Sequence, residues 1–453
     1  MSSSYLNDLL TTVVERGRMV IDRNRSRRPS GRDLAELAEA LVTEPGEASG
    51  MALAQEILDG YAALDWAGRT SVFRSLAQGF GPDMGRLESA AHAFVESGDE
   101  ASAMELHRAS EPRRRELIRR LNRAPGATAA LVNMRADLVA RLGDHPEFAG
   151  VDRDFEHLLS SWFNRGFLVL RRIDWSTPAV ILEKIIRYEA VHEIQGWEDL
   201  RRRIDPPDRR LYAFFHPALV DEPLIFVEVA LTTDMPEAIG PILAEQRTPL
   251  DPDRATTAVF YSISNCQTGL RGISFGSFLI KQVVEELAQT FPSLKTFVTL
   301  SPAPGFRRWL ARELEANSPE AVTPADRKVL EKLETPGWHE DPALLAEARP
   351  VLGALAAHYF LRSKTVRGTP RDAVARFHLG NGARLERINL FGDFSDRALS
   401  NAYGLMVNYL YDRRQIERNH EAYAKEGTIA AAPAVRRLLR RTAEPRQLAI
   451  SDE

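Results

Sequence analysis

The feature that most constrains the fold is a change of hydrophobic patterning near residue 145. From Leu6 to about Leu142, apolar residues recur mostly at three- and four-residue spacing, which is typical of amphipathic helices. After Pro146, short β-branched or aromatic runs alternate with helical segments. Strands interleaved with helices indicate a mixed sheet with helices packed against it. We therefore predict a helical bundle over residues 1–150 and an α+β domain over residues 151–453.

Five runs in the second part of the chain have strand character. Each is short, rich in β-branched or aromatic residues and bounded by turn residues. They are Leu168–Leu170, Tyr212–Phe215, Leu224–Leu231, Thr257–Ser264 and Thr296–Leu300. Helical spacing predicts helices over Pro178–Tyr188, Phe275–Phe291, Glu315–Arg349 and Ser400–Arg441.

The composition limits the partners of the chain. Its formal net charge of −4 gives no overall attraction to nucleic acid or to an anionic membrane. The most apolar stretch, Pro223–Leu231, contains Glu228 and is too short to cross a bilayer. Cys266 is the only cysteine, so neither an intrachain disulfide nor a CxxC metal site can form. We expect no nucleic-acid partner and no membrane partner.

The two ends of the sequence give evidence about the cellular compartment of the protein. Asp8, Glu15 and Asp22 interrupt the apolar positions near the N-terminus, which argues against a signal peptide and against an organelle presequence. The last four residues, Ile450–Glu453, carry no peroxisomal address. We therefore expect a cytoplasmic protein.

A loop with three glycines follows the strand predicted over Thr257–Ser264 and precedes an amphipathic helix. Gly269, Gly272 and Gly276 permit tight turns and let backbone N–H groups approach an anion at the start of the helix. Their spacing is neither that of a P-loop nor Gly-x-Gly-x-x-Gly. Taken alone, the loop fits either a pyrophosphate site or an ordinary glycine-rich turn.

Several motifs in and around this loop resemble those of known proteins. Arg271-x-x-Ser274-x-Gly276 resembles the loop that binds the CoA pyrophosphate in the acetyltransferase (GNAT) fold, with serine in place of the first glycine. A larger set resembles the malonyl-CoA decarboxylase family. Its members are Tyr261-Ser-Ile-Ser264, Gly269-Leu-Arg-Gly272, Phe278-Leu-Ile-Lys281, Leu300-Ser-Pro-Ala-Pro-Gly-Phe306, Phe377-His-Leu-Gly-Asn-Gly-Ala383 and Met406-Val-Asn-Tyr-Leu-Tyr411, with weaker likenesses at Leu159-Ser-Ser-Trp-Phe163 and Arg135-Ala-Asp-Leu138.

The family resemblance implies a fold, an activity and a site. The fold would be a helical N-terminal domain followed by a GNAT-like catalytic domain, and the activity would be decarboxylation of malonyl-CoA to acetyl-CoA and CO2. The resemblance assigns Ser301 and His378 as the catalytic pair and places Tyr411 near the thioester. The CoA-binding loop that it implies consists of Arg271, Gly272, Ile273, Ser274, Phe275, Gly276 and Ser277.

The implied reaction needs few protein groups. Loss of CO2 leaves a carbanion conjugated with the thioester carbonyl, so the substrate supplies its own electron sink. We therefore expect neither a metal nor an organic cofactor. Donors must stabilise the enolate oxygen, and an acid must protonate carbon. We predict that His378 donates this proton, that Ser301 hydrogen-bonds to it as base, relay or donor, and that Tyr411 is a supporting donor at the thioester or carboxylate.

Each candidate also has a purely structural interpretation. Ser301 before a proline fits a turn, His378 fits a buried imidazole, and Tyr411 fits the core side of an aromatic helical stripe. His216 is a reserve candidate that is more typical of structure. Cys266 lies beside the loop without a neighbouring basic residue, so we expect an unreactive thiol.

Two other functions are compatible with the fold. An acyl-CoA-dependent N-acyltransferase would need an open acceptor groove and a base for an amine, and no acidic acceptor site stands out in the sequence. A non-catalytic protein that binds CoA thioesters would not need Ser301 and His378, so their presence argues against it.

The remaining charged and apolar features have plain interpretations. The basic runs Arg113–Arg115, Arg201–Arg203 and Arg209–Arg210 are expected on solvated faces, although one of the last two could meet the CoA phosphates. The apolar faces of the N-terminal helices favour packing against the rest of the chain or against another subunit, so we expect a homo-oligomer.

Overall fold

The protein was analysed as a computed structural model that describes residues 31–44, 46–273, 278–316, 321–366 and 368–440. Contacts between residues divide the chain into two compact units. The first unit comprises residues up to Val169, Phe214–Ile225 and Asn265–Phe275, and the second comprises Leu170–Ala213, Phe226–Ser264 and the residues from Gly276 onward. The domain boundary predicted at residue 150 stays a prediction.

The first unit is built from helices. They are α1 (Gly31–Thr43), α2 (Glu47–Ala62), α3 (Trp66–Gln78), α4 (Met84–Ser97), α5 (Glu100–Ser110), α6 (Arg113–Leu121), α7 (Ala127–Val139) and α8 (Ala149–Trp162). Leu34, Leu37 and Leu41 are buried, as their helical spacing predicts. Asp65 and Asp83 begin α3 and α4 by accepting backbone N–H groups of the first turn, which satisfies donors that the helix leaves unpaired.

The second unit holds most of an eight-stranded mixed sheet. The strands are β1 (Val169–Ile173), β2 (Arg209–Phe215), β3 (Pro223–Thr232), β4 (Thr257–Asn265), β5 (Thr296–Thr299), β6 (Ser301–Pro302), β7 (Arg384–Asn389) and β8 (Met406–Leu410). Their order is β1-β2-β3-β4-β5-β8-β6, with β7 paired to β8. β4 and β5 are parallel, whereas β8 runs antiparallel to β5, β6 and β7. The predicted fold class, a helical N-terminal region followed by a mixed-sheet domain, is confirmed.

Helices of the second unit connect and flank these strands. They are α9 (Ala179–Tyr188), α10 (Trp197–Ile204), α11 (Gly240–Leu243), α12 (Phe278–Thr290), α13 (Phe306–Glu315), α14 (Pro324–Lys332), α15 (Pro342–Leu361), α16 (Ala373–Gly380), α17 (Asp396–Ala402), α18 (Ile416–Glu426) and α19 (Pro433–Arg437). Among the described residues, no helix combines the length and the apolar character that a bilayer crossing requires.

The prediction of helix over Ser400–Arg441 is wrong in the first third of that range. Residues Met406–Leu410 form β8 of the sheet, and Tyr411 follows this strand directly instead of lying on a helical stripe. Val407, Tyr409 and Tyr411 are spaced two residues apart, which places their side chains on one face of an extended strand. The aromatic residues upstream led us to predict a helical stripe instead of this two-residue spacing.

The prediction that the basic runs lie on solvated faces is also wrong in part. Arg203 is buried, with a nitrogen 3.0 Å from a carboxylate oxygen of Asp199. Arg209 is buried and donates to the carbonyl oxygen of Ile242 at 2.8 Å. Arg114 lies 2.6 Å from the Asp154 carboxylate. These guanidinium groups are paired inside the protein, which is how a buried charge avoids a large desolvation cost.

Asn408 fixes the geometry of the strand ends next to the candidate site. Its side chain is fully buried, and its Nδ2 donates to the Thr299 carbonyl oxygen at 2.8 Å. Its Oδ1 accepts from Asn389 Nδ2 at 2.8 Å and from Arg387 Nε at 3.1 Å. One amide therefore ties β5, β7 and β8 together, and Ser301 lies two residues beyond Thr299.

Candidate active site

Ser301 and His378 are in contact, although 77 positions separate them in the sequence. Ser301 begins β6, with one residue between it and the end of β5, and pairs with Val407 of β8. Its Oγ lies 3.2 Å from Nε2 of His378. The exposed fractions of the two residues are 7% and 2%. The structure thus brings together, in a buried position, the two residues predicted as the catalytic pair.

His378 is presented by the last turn of α16. Asp372 begins this helix, and its Oδ1 accepts from the backbone N–H of Ala375 at 2.8 Å. Its other carboxylate oxygen accepts from the Tyr359 hydroxyl at 3.1 Å. Because Asp372 is bonded on both sides, the start of the short helix is fixed.

Two tyrosines of β8 and its exit surround the imidazole. The hydroxyl of Tyr411 lies 2.8 Å from Nδ1 of His378. The ring of Tyr409 stacks on the imidazole, with centroids 4.6 Å apart and an interplanar angle of 24°. Tyr409 and Tyr411 reach the same ring because side chains two residues apart share one face of an extended strand. Both nitrogens of His378 therefore have a hydroxyl partner.

Burial shifts the pKa values of His378 and Tyr411 in the directions that favour their uncharged forms. Burial lowers the pKa of His378 to about 3, because a charged imidazolium is poorly solvated there. Burial also raises the pKa of Tyr411 well above its usual value. At neutral pH His378 is therefore a neutral imidazole with one N–H, and Tyr411 keeps its phenolic hydrogen.

The predicted CoA loop lies partly in the described residues. Arg271, Gly272 and Ile273 are described as part of the first unit, whereas Ser274, Phe275, Gly276 and Ser277 lie outside the described residues. Gly272 has a φ of +87°, a conformation that side chains other than glycine rarely adopt. The tight turn predicted at this glycine is therefore present, and its role in binding CoA stays a prediction.

Arg135 holds the start of this loop. It is 2% exposed, and its Nη1 donates to the carbonyl oxygens of Gly269 and Arg271, both at 2.9 Å. Its Nε donates to Asp152 at 2.9 Å. Sequence reasoning assigned no role to Arg135, although the residue begins one of the motifs that carry the family resemblance.

The reserve candidate His216 lies in structural surroundings, and the thiol of Cys266 is covered. Nδ1 of His216 accepts the backbone N–H of Ala218 at 3.1 Å, and its ring packs 4.7 Å from that of Phe163. Cys266 is buried. Over the described part of the chain, no group of three or more acidic, histidine or cysteine side chains has an arrangement that could hold a metal ion.

Sequence reasoning missed Thr299 and Tyr409. Thr299 Oγ1 accepts from Ser301 Oγ at 3.0 Å and from the backbone N–H of Tyr409 at 3.1 Å. The partial signal for each was its position two residues before a predicted site residue, Ser301 or Tyr411. Once strands are assigned to these motifs, the residues two positions earlier lie on the same face.

Comparisons with known proteins identify the family. Family models described as the malonyl-CoA decarboxylase N-terminal and C-terminal domains match residues 80–163 and 166–449. The mitochondrial malonyl-CoA decarboxylase of Anser anser anser is 37% identical over 399 residues, covering 81% of this chain and 79% of the relative.

Solved structures agree with these matches. The crystal structure of malonyl-CoA decarboxylase from Rhodopseudomonas palustris is 56% identical, with a TM-score of 0.89, and covers 90% of this chain and 100% of its own. The structure from Agrobacterium vitis is 54% identical, with a TM-score of 0.85 and the same coverage. Fold and sequence together define an enzyme of the carboxy-lyase class. The chain belongs to the malonyl-CoA decarboxylase family.

Proposed function

We propose that this protein converts malonyl-CoA to acetyl-CoA and CO2, using His378 as the acid and Ser301 as its hydrogen-bond partner. The observation that carries the proposal is the buried contact between Ser301 Oγ and His378 Nε2 at 3.2 Å. Membership of the family supports the choice of substrate. Proton transfer requires groups within hydrogen-bond reach of each other, and the short distance between Ser301 and His378 supports a shared role for the pair.

The chemistry follows from the charge of the substrate. The C–C bond to the carboxylate breaks, CO2 leaves, and the bonding electrons pass to the thioester as an enolate. One proton then forms the new C–H bond of acetyl-CoA. Hydrogen-bond donors around Ser301 would stabilise the enolate oxygen, and removing one such donor typically costs ~10²–10³ in rate. This scheme uses no metal and no organic cofactor.

The neutral state of His378 requires a second proton before transfer. A neutral imidazole that gave up its single hydrogen would become an anion, which burial disfavours. The malonyl carboxylate brings a negative charge to the site, and a nearby opposite charge raises the pKa of an imidazole. We propose that His378 takes up a proton when malonyl-CoA binds and passes it to carbon after CO2 leaves.

Purified protein incubated with malonyl-CoA and no added cofactor is expected to release CO2 and acetyl-CoA in equal amounts. Isotopically labelled carboxylate carbon and chromatography of the CoA esters measure the two products. Addition of a chelator should leave the rate unchanged. Strong inhibition by the chelator would contradict the metal-free scheme, and acyl transfer to an amine without CO2 release would instead indicate an N-acyltransferase.

Replacing Arg135 with methionine is expected to raise KM for malonyl-CoA with little change in kcat. The variant loses the donor to the Gly269 and Arg271 carbonyl oxygens, so the proposed CoA loop is held less firmly. Hydrogen bonds to a charged group contribute ~1.5–3 kcal/mol each, so an increase of about tenfold or more in KM is expected. Initial-rate kinetics over a range of substrate concentrations measure it.

Arg86→Met is the matched control for this experiment. Arg86 also pairs with an acidic side chain, Glu105, but both are largely exposed, and exposed pairs contribute little. Its KM should equal that of the unmodified protein. An unchanged KM in Arg135→Met, or an equal rise in both variants, would contradict the assigned role of Arg135.

The location and the assembly state stay proposals. We propose a cytoplasmic homo-oligomer, as the sequence leads us to expect, whereas the Anser anser anser relative named above is mitochondrial. Malonyl-CoA is the only binding partner that the proposed function requires.

A further inference from the structure

We propose that Thr299 and Tyr411 are positioning residues that together hold ligand-free His378 as the tautomer with its single hydrogen on Nε2, facing Ser301. The kinetic consequences of this inference rest on the proposed function. Its spectroscopic consequences do not, because they concern the protein without substrate.

The direction of the Ser301 hydroxyl is the first step. Ser301 Oγ donates to Thr299 Oγ1 at 3.0 Å. A serine hydroxyl has one hydrogen, so once it points to Thr299, Ser301 can only accept from its other neighbour. That neighbour is Nε2 of His378 at 3.2 Å. The contact is therefore satisfied only when Nε2 carries a hydrogen.

The second step comes from the opposite side of the ring. The Tyr411 hydroxyl lies 2.8 Å from Nδ1 of His378. Neutral imidazole has one donor nitrogen and one acceptor nitrogen, so with the hydrogen on Nε2 the lone pair is on Nδ1. A phenol is a good donor to that lone pair. The contact with Tyr411 is therefore compatible with the tautomer that the Ser301 side selects, and it leaves both ring nitrogens paired.

Thr299 is itself held in place. Its side chain is fully buried, and its Oγ1 also accepts the backbone N–H of Tyr409 at 3.1 Å. The buried Asn408 amide fixes its carbonyl oxygen from the other side. Tyr409 in turn stacks on His378. The hydroxyl that orients Ser301 is therefore fixed by β8, the same strand whose exit carries Tyr411.

A hydrogen on Nε2 of His378 makes this site chemically different from that of a serine hydrolase. A serine nucleophile needs an imidazole whose Nε2 is unprotonated and can accept the hydroxyl hydrogen. Here Nε2 is the donor and Ser301 the acceptor, so the neutral imidazole cannot take the hydroxyl hydrogen of Ser301 at Nε2. The same arrangement disfavours an acyl-enzyme on Ser301.

Nitrogen NMR of protein labelled with nitrogen-15 histidine tests the tautomer directly. Protonated and unprotonated ring nitrogens have well-separated shifts, and the signals lost in His378→Asn assign the residue. The ligand-free protein is expected to show a protonated Nε2 and an unprotonated Nδ1. Tyr411→Phe and Thr299→Val should each shift the signals toward the other tautomer, whereas Thr299→Ser should leave them unchanged.

Kinetics of the same variants give the second readout. Thr299→Val is expected to lower kcat about tenfold, the loss of one hydrogen bond, with KM unchanged, and Thr299→Ser should restore it. Tyr411→Phe is expected to lower kcat by roughly tenfold or more, since a wrong tautomer costs up to ~10⁴ in a serine protease. Circular dichroism checks that each variant is folded.

Two outcomes would overturn the inference. One is a hydrogen on Nδ1 in the ligand-free protein, and the other is an unchanged tautomer in both Tyr411→Phe and Thr299→Val. If the expected tautomer is found in a protein that releases no CO2, the proposed function fails while the positioning role stands.

Discussion

Replacing His378 with asparagine is expected to lower the rate of CO2 release from malonyl-CoA by roughly 10²–10⁴-fold, the usual contribution of a general acid. Asparagine preserves a polar side chain between the hydroxyls of Ser301 and Tyr411 but has no proton that it can donate to carbon. The loss should appear in kcat, because the substitution removes an interaction that matters after CO2 has left. Steady-state rates with a coupled acetyl-CoA assay measure it.

The same variant tests the proposed proton uptake. Calorimetry with a non-reactive malonyl-CoA analogue, in buffers with different heats of ionisation, measures the protons taken up on binding. The unmodified protein is expected to take up a proton near neutral pH, since the pKa of His378 is about 3 without ligand and must rise when the carboxylate binds. His378→Asn should bind the analogue without this uptake.

A histidine outside the site provides the control. His92→Asn changes an exposed residue of α4 and should retain both the rate and the proton uptake. Full activity in His378→Asn together with full activity in Ser301→Ala would contradict the proposed mechanism. Equal losses in His92→Asn and His378→Asn would show that the effect is not specific to the site.

Local patterns predicted much of the fold. The helical character of the first unit followed from apolar residues at three- and four-residue spacing, and strands β1 to β5 followed from short β-branched or aromatic runs bounded by turn residues. β7 was missed because its six residues, Arg384–Asn389, include only two apolar side chains, Leu385 and Ile388, and their spacing of three does not follow the two-residue period of a strand. β8 was wrongly predicted as helix. Tyr411 was therefore predicted on a helical stripe, whereas it directly follows a strand.

The site could be predicted only in part, for a geometric reason. Ser301 and His378 are 77 positions apart, and no local periodicity encodes a contact over that distance. The family resemblance supplied the pair, and the fold then showed it in contact. Thr299 and Tyr409 depend on the register of β5 against β8, where Val298 lies opposite Leu410. A register set by tertiary packing cannot be derived from either strand alone.

Replacing Gly269 with alanine is expected to destabilise the protein by roughly 3 kcal/mol or more, the upper range of overpacking. A Cβ atom at this position would lie 1.8 Å from the backbone carbonyl oxygen of Val132 in α7. A carbonyl oxygen inside a helix cannot rotate away, so α7 or the turn Thr268–Leu270 must move. Urea unfolding followed by circular dichroism measures the change.

Gly143→Ala is the matched control, because its Cβ would meet no atom within 4 Å. That variant should stay within about 0.5 kcal/mol of the unmodified protein. The double variant Gly269→Ala, Val132→Ala tests the cause. It removes the Val132 side chain, whose Cγ1 would lie 3.0 Å from the new Cβ, and leaves the carbonyl group in place. Its stability should stay as low as that of Gly269→Ala, and recovery would contradict a clash with the backbone.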